Sequence, residues 1–336
     1  MHGAPSLRQL LPLAILLLAG VALPPVLPVY YLYIGNLLMM YVILALGLDI
    51  LLGWSGQFAF AHIAFFGIGI YGTALLKSRL GIPFVLGMPA AATLAALIGF
   101  LIALPATRLR TVYLALATFA FAECTQWTLR TWVALTNGPD GLRIKAPDIF
   151  GYVIDSDGRA FPVLAILLAL VLAGTLCLTR SKLARSFCAI RDSEHVAAAS
   201  GIDVRRTKVI AFTISAFYAG IAGAAYTLFQ SYIHPDGLGV WQLVLVLTMV
   251  VVGGSGTLPG VILGVLLLGV LPEALRAAPR SLLVWQEFAY GLILTAAIMF
   301  MPRGIWGLMP RRAPRPGIAA AAERRPAARA LERQAP

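Results

Sequence analysis

Charge is scarce in this sequence, and acid scarcer still. Only 12% of its 336 residues are Asp, Glu, Lys or Arg, with 14 acidic against 26 basic. A soluble domain keeps about a quarter of its residues charged, so a water-solvated globule is excluded. Cysteine is almost missing. Cys124, Cys177 and Cys188 are odd in number and lie in or beside apolar runs, which argues against a disulfide framework. No His-Glu-x-x-His zinc spacing occurs, no His/Cys/Asp/Glu set has metal spacing, and no Ser/His or paired-Asp constellation suggests an enzyme. The phosphate-binding pattern Gly-x-x-x-x-Gly-Lys-Ser/Thr is absent too, so energy for any transport has to come from a partner or an ion gradient. Gly67-Ile-Gly-Ile-Tyr-Gly72 does spell a dinucleotide fingerprint, but inside an apolar helix with no strand before it. It reads as a close helix-packing surface.

What the sequence has instead is apolar length. Hydrophobic residues make up 60% of the chain and the mean hydropathy is +0.87. The runs are continuous and rich in Leu, Ala and Val, whereas a membrane barrel alternates in segments of about ten residues. The expected fold is therefore all-α, a polytopic membrane helix bundle. About ten spans are predicted, near 10–29, 31–52, 60–76, 84–105, 111–133, 161–180, 208–232, 238–253, 257–278 and 284–302. The first run, Leu10 to Leu23 behind Arg8, reads as a span. A cleaved signal peptide is its alternative, although no clear small-x-small site precedes Pro24 and Pro25.

The net charge of +12 and pI near 10.1 do not point to nucleic acid, because the cations gather in short loops and the tail. Arg180, Lys182, Arg185, Arg191, Arg205, Arg206 and Lys208 fill one loop, and a second run starts at Arg303. Four predicted spans separate them, so both are cytoplasmic by the positive-inside rule, with N-in and C-in termini. The 134–160 loop, with Asp140, Asp148, Asp155 and Asp157, falls outside; Lys77 and Arg79 fall outside too and break the rule. Residues 1–309 read as the membrane domain, and 310–336 as a basic, disordered cytoplasmic tail near anionic headgroups.

The long cytoplasmic loop is unusual for a connector. It runs Ala189-Ile190-Arg191-Asp192-Ser193-Glu194-His195-Val196-Ala197-Ala198-Ala199-Ser200-Gly201-Ile202-Asp203-Val204-Arg205-Arg206-Thr207. From Asp192 to Ser200 the pattern predicts a short helix, with acid in its first turn, a flat alanine face and Gly201 as its stop. Such a helix is a docking knob for a grooved partner; an ordinary interhelical loop is the plain alternative.

This loop and the segment Lys208-Val-Ile-Ala-Phe-Thr-Ile-Ser-Ala-Phe-Tyr-Ala-Gly behind it resemble the LivH/LivM family of branched-chain amino-acid permeases. So do Gly53-Trp-Ser-Gly-Gln-Phe-Ala-Phe-Ala-His, Thr136-Asn-Gly-Pro-Asp-Gly-Leu, Val251-Val-Gly-Gly-Ser-Gly-Thr-Leu-Pro-Gly with Leu271-Pro-Glu, and Phe300-Met-Pro-Arg-Gly-Ile. The blocks lie in the family's order between about 35 and 308, closer to its LivM branch. The resemblance implies a permease of the bacterial inner membrane, paired with a second, LivH-like permease. It also implies two cytoplasmic ABC ATPase subunits and an extracytoplasmic solute-binding protein. ATP and Mg are then used by the ATPases, with no cofactor on this chain. Residues 189–207 would seat in the ATPase. The coupling motif of ABC importers places Glu-Ala-Ala where this chain has His195, Val196 and Ala197, and the acid, Glu194, comes one position early. Branched-chain amino acids are the implied solutes, with urea, amides or aromatic acids as alternatives.

Polar residues inside apolar spans are expensive and mark function or interhelical packing. Glu123 is the deepest, and lining the solute path or bonding between helices are its two readings; Asp49, Glu273 and Glu287 fall near span ends, within reach of interfacial water. His62 reads as a satisfied packing histidine. Two glycine breaks share the pattern Gly-x-Ser-Gly: Gly53-Trp-Ser55-Gly56, followed by Gln57, and Gly253-Gly254-Ser-Gly256. Paired broken or re-entrant segments point to a transport site, and two ordinary turns are the plain reading. An ion-driven secondary transporter would share this hydropathy profile. It would need a midplane carboxylate, for which Glu123 is the candidate, and would have little use for an alanine-rich docking loop.

Overall fold

The computed structural model describes residues 16–109, 111–149, 151–271, 286–300 and 304–308. Residues 1–306 make one unit; the second starts at Gly307, and only Gly307 and Leu308 of it are described. The tail from 310, residues Leu10 to Ile15 of the first run, Arg110 and Glu273 lie outside the described residues, and so does the side chain of Glu287.

Helix α1 (Val29–Asp49) continues into a π-helical turn, Ile50–Trp54, to give one span of 26 residues. Its apolar residues favour no face, as befits a helix wrapped by protein, and it is the most enclosed of the candidate spans. Then come α2 (His62–Leu80), α3 (Phe84–Ala106), α4 (Thr111–Thr131) and α5 (Asp157–Thr179). The 181–203 loop holds α6 (Lys182–Asp192) and α7 (Glu194–Ala199), and α8 (Val204–Tyr226) follows. Two shorter apolar helices, α9 (Val240–Gly253) and α10 (Leu258–Gly269), precede α11 (Gln286–Phe300). Among the described residues, five helices, α1 with its π turn, α2, α3, α5 and α8, are long and apolar enough to cross a membrane. This is the all-α membrane bundle that the hydropathy predicts.

The core is built around α8, which packs on α1, α2 and α3, while α9 packs on α10, α11 and α1. Small residues let the backbones touch. A Cβ on Gly69 would strike Gly220, and one on Gly223 would lie 2.7 Å from Ile70 N. Gly72 lies against Ala91, so the Gly67–Gly72 pattern is indeed a packing surface. His62 joins three helices: Nε2 is 2.8 Å from Leu44 O, and Nδ1 is 3.1 Å from Ser215 Oγ.

Contacts sort the loops into two ends. At one end, Leu142–Arg143 pairs antiparallel with Tyr232–Ile233, Arg130 meets Asp236 at 2.6 Å, and Lys77 pairs with Asp148. At the other, the 53–56 and 253–256 breaks, Arg191 and Gly304 come together. The two expected cytoplasmic stretches therefore start from the same end.

Candidate docking site and the glycine breaks beneath it

The loop is more ordered than its sequence suggests. Helix α6 starts at Ser181, whose Oγ accepts from Ala184 N at 3.3 Å. Ala184, Phe187 and Ile190 turn inward one helical turn apart, while Lys182, Arg185 and Cys188 face out. Ser193, in extended conformation, ends α6 and caps α7 through Val196 N. The helix expected from Asp192 to Ser200 is thus α7, Glu194–Ala199, and a further helix, α6, runs up to it and ends at Asp192. The break falls at Ser193 because its hydroxyl competes for the backbone N–H that would continue the helix.

Helix α7 carries Glu194 in its first turn, and Gly201 follows it with φ of +82°. Gly201 N donates to Ala198 O at 3.0 Å and Ile202 N to Ala197 O at 3.1 Å, the paired bonds of a Schellman stop. Ala197 is the inward residue of the knob; His195, Val196 at 65% exposure, Ala198, Ala199 and Ser200 face out. Two tethers hold the knob to α8. Asp203 caps α8 by accepting from Arg206 N at 3.0 Å, and Lys208 Nζ reaches Glu194 Oε1 at 2.6 Å with its side chain only 11% exposed. Arg205 and Arg206 are exposed, Val204 is half-buried, and the Thr207 hydroxyl is turned back to Asp203 O. Beside the knob, a cavity of about 330 Å³ is lined by residues including Gln57, Arg108, Glu194 and Lys208.

Beneath it the two glycine breaks meet, although some two hundred positions separate them in the chain. Asp49 is 2% exposed and its Oδ1 accepts from Gly256 N at 2.7 Å. Gly53, one turn along, has to lack a side chain, since a Cβ there would collide with Asp49 Oδ1 and Gly256 N. Arg191 Nη1 donates to Gly53 O, and its stem lies against Gly56, whose φ is +68°. Gly254 has φ of +118°, and Gly304 seats on its backbone. Ser55 Oγ donates to Leu51 O at 2.7 Å, and Gln57 Nε2 donates to Ser55 Oγ at 2.9 Å and Lys208 O at 3.3 Å. Gly53, Ser55, Gly56, Gln57, Gly253, Gly254 and Gly256 thus gather at the loop end of the bundle. Glu123 is not among them; it is half-buried on α4.

Asp49 was expected to meet interfacial water and instead meets protein. The signal for it was present in the sequence: an aspartate and a glycine four positions apart share one helix face, as a side chain reaching over a bare backbone requires. Arg191 sits in the loop already singled out, but its reach to Gly53 has no sequence signature.

A family model described as branched-chain amino acid transport system, permease component, matches residues 30–301. The chain belongs to that family. This permease is similar to the high-affinity branched-chain amino acid transport system permease protein LivM of Escherichia coli, 32% identical over 324 residues, 89% of this chain and 75% of the relative. It is also similar to LivH of Salmonella typhimurium, at 26% identity over 285 residues, 80% of this chain and 91% of the relative. The autoinducer 2 import system permease protein LsrC of Klebsiella pneumoniae is 28% identical over 179 residues, 52% of this chain and 49% of that one. No solved structure matches the chain. With its apolar helices, this permease is a multi-pass protein of the bacterial inner membrane.

Proposed function

We propose that the chain is the permease subunit of an ATP-driven importer of branched-chain amino acids. It pairs with a second, LivH-like permease, receives solute from an extracytoplasmic binding protein, and is driven by two ATPase subunits that use ATP and Mg. The observation that carries this reading is α7, a short capped knob whose outer face (Val196, Ala198 and Ala199) is left to water at the cytoplasmic end. An exposed apolar face on a tethered helix is suited to a partner's groove. A self-sufficient ion-driven transporter has no use for it.

Ala198→Glu tests the groove and Gly201→Val tests the stop. A carboxylate buried without a partner costs several kcal/mol, enough to weaken docking by about a hundredfold or more. At Gly201 a Cβ would meet open space, so valine acts only through the positive φ. The chain should still insert, but ATPase subunits should not copurify, and leucine uptake should collapse. Uptake that persists through ATP depletion and follows an ion gradient sinks the reading.

A further inference from the structure

Between the docking loop and the broken helices lies one polar joint. Asp49 is enclosed near the end of the most buried span, and its Oδ1 accepts the N–H of Gly256, at the break between α9 and α10. Arg191 projects from the last turn of α6, the helix that carries the knob, and donates to the carbonyl of Gly53. A Cβ at Gly256 would lie 2.7 Å from Arg191 Nη1 and 3.1 Å from Gly53 O, so guanidinium, Gly53 and Gly256 are mutually packed. Gly53 and Gly256 also lack the side chains that would hold them apart. This contact from the loop into the bundle spans both breaks.

We infer that Asp49 and Arg191 are positioning residues of transport, a joint that passes displacement of the docking loop to the π turn of α1 and to the α9–α10 break. The inference rests on the importer reading above. Helix α6 is a rigid lever, since Ala184, Phe187 and Ile190 pack into the bundle and its last turn ends on the knob. A partner that tilts the knob pulls Arg191, and Arg191 pulls Gly53 O. Asp49 makes the movement common to both breaks, because the same carboxyl oxygen that Gly53 leaves room for is bonded to Gly256. Without the joint, the knob still moves but the breaks do not follow.

The test uses the reconstituted complex with its ATPases, second permease and binding protein, and reads leucine moved per ATP hydrolysed, normalised to the ATPase that copurifies. Asp49→Ala and Arg191→Ala should each lower that ratio at least about tenfold, the scale of losing one hydrogen bond to a charged group. Asp49→Asn keeps an acceptor for Gly256 N–H and Arg191→Lys keeps a cation for Gly53 O, so both should recover to within about threefold of wild type. The double alanine variant should lose less than the two singles combined, because they break one joint. A wild-type ratio in the alanine variants overturns the inference, as does a fall in uptake that only tracks loss of the ATPase. Should the alanine variants not insert, Arg191→Met, which keeps a stem against Gly56 but has no donor for Gly53 O, is read instead: a ratio about tenfold lower supports the inference and a wild-type ratio overturns it. If the wild-type chain recruits no ATPase, the importer reading has failed and this inference falls with it.

Discussion

His62 shows how a polar side chain survives inside an apolar bundle. Both ring nitrogens are engaged, with the Leu44 carbonyl and the Ser215 hydroxyl, so the side chain joins α1, α2 and α8 without needing a solute or an ion. An interhelical hydrogen bond inside a membrane bundle contributes about 0.6–1.7 kcal/mol. His62→Leu should therefore cost about 1–3 kcal/mol, read as a lower unfolding temperature in detergent, while uptake per inserted molecule is retained. Uptake lost with unchanged stability would instead move His62 onto the solute path. The glycines act by absence in the same core. Gly69, Gly220 and Gly223 let α2 and α8 touch backbone to backbone, and a side chain on any of them would meet main-chain atoms that cannot move aside.

The elements were legible in proportion to how far each depended on lipid. The spans could be read because a bilayer demands uninterrupted apolar helix, and the main ones stand near their predicted positions. Helix α6 was not read as a helix, although Ala184, Phe187 and Ile190 repeat at three-residue spacing between cations. Its apolar face is short, and charge density made the segment look like a loop. Both glycine breaks were legible as interruptions, but not as one site: nothing in a single sequence joins Gly53 to Gly256. The break after α9 gives the element-scale prediction. Gly254 has φ of +118° and ψ of +91°, a conformation that side chains avoid at a cost of about 1–3 kcal/mol. Gly304 is seated on it, close enough that a Cβ at Gly304 would collide with the Gly254 backbone. Gly254→Leu should insert normally and transport nothing. Normal uptake by that variant would reduce the break to a plain turn.

At the scale of the whole molecule, the contacts explain the one pair of cations that charge alone placed badly. Lys77 and Arg79 lie at the end expected to be outside, against the positive-inside rule, yet Lys77 pairs with Asp148 and Arg79 donates to the Ala134 carbonyl. Against these two cations the 181–207 loop carries five, Lys182, Arg185, Arg191, Arg205 and Arg206, and that excess sets the orientation. The outer loop is itself pinned by Asn137, in left-handed conformation, whose Nδ2 donates to Gly141 O at 3.0 Å, and by the pairing of Leu142 with Ile233. Each of these contacts joins segments that the charge rule puts on one side, which is what a single, fixed orientation requires. That orientation is open to direct measurement. Cys124, Cys177 and Cys188 are exposed and have to be replaced by serine first. On that background, Ser156→Cys and Ser200→Cys place one thiol at each end, both on exposed positions. In intact cells an impermeant thiol reagent should label position 156 and spare position 200, and permeabilised cells should label both. The opposite pattern would turn the bundle over, put α7 on the face away from ATP, and remove the physical basis for docking.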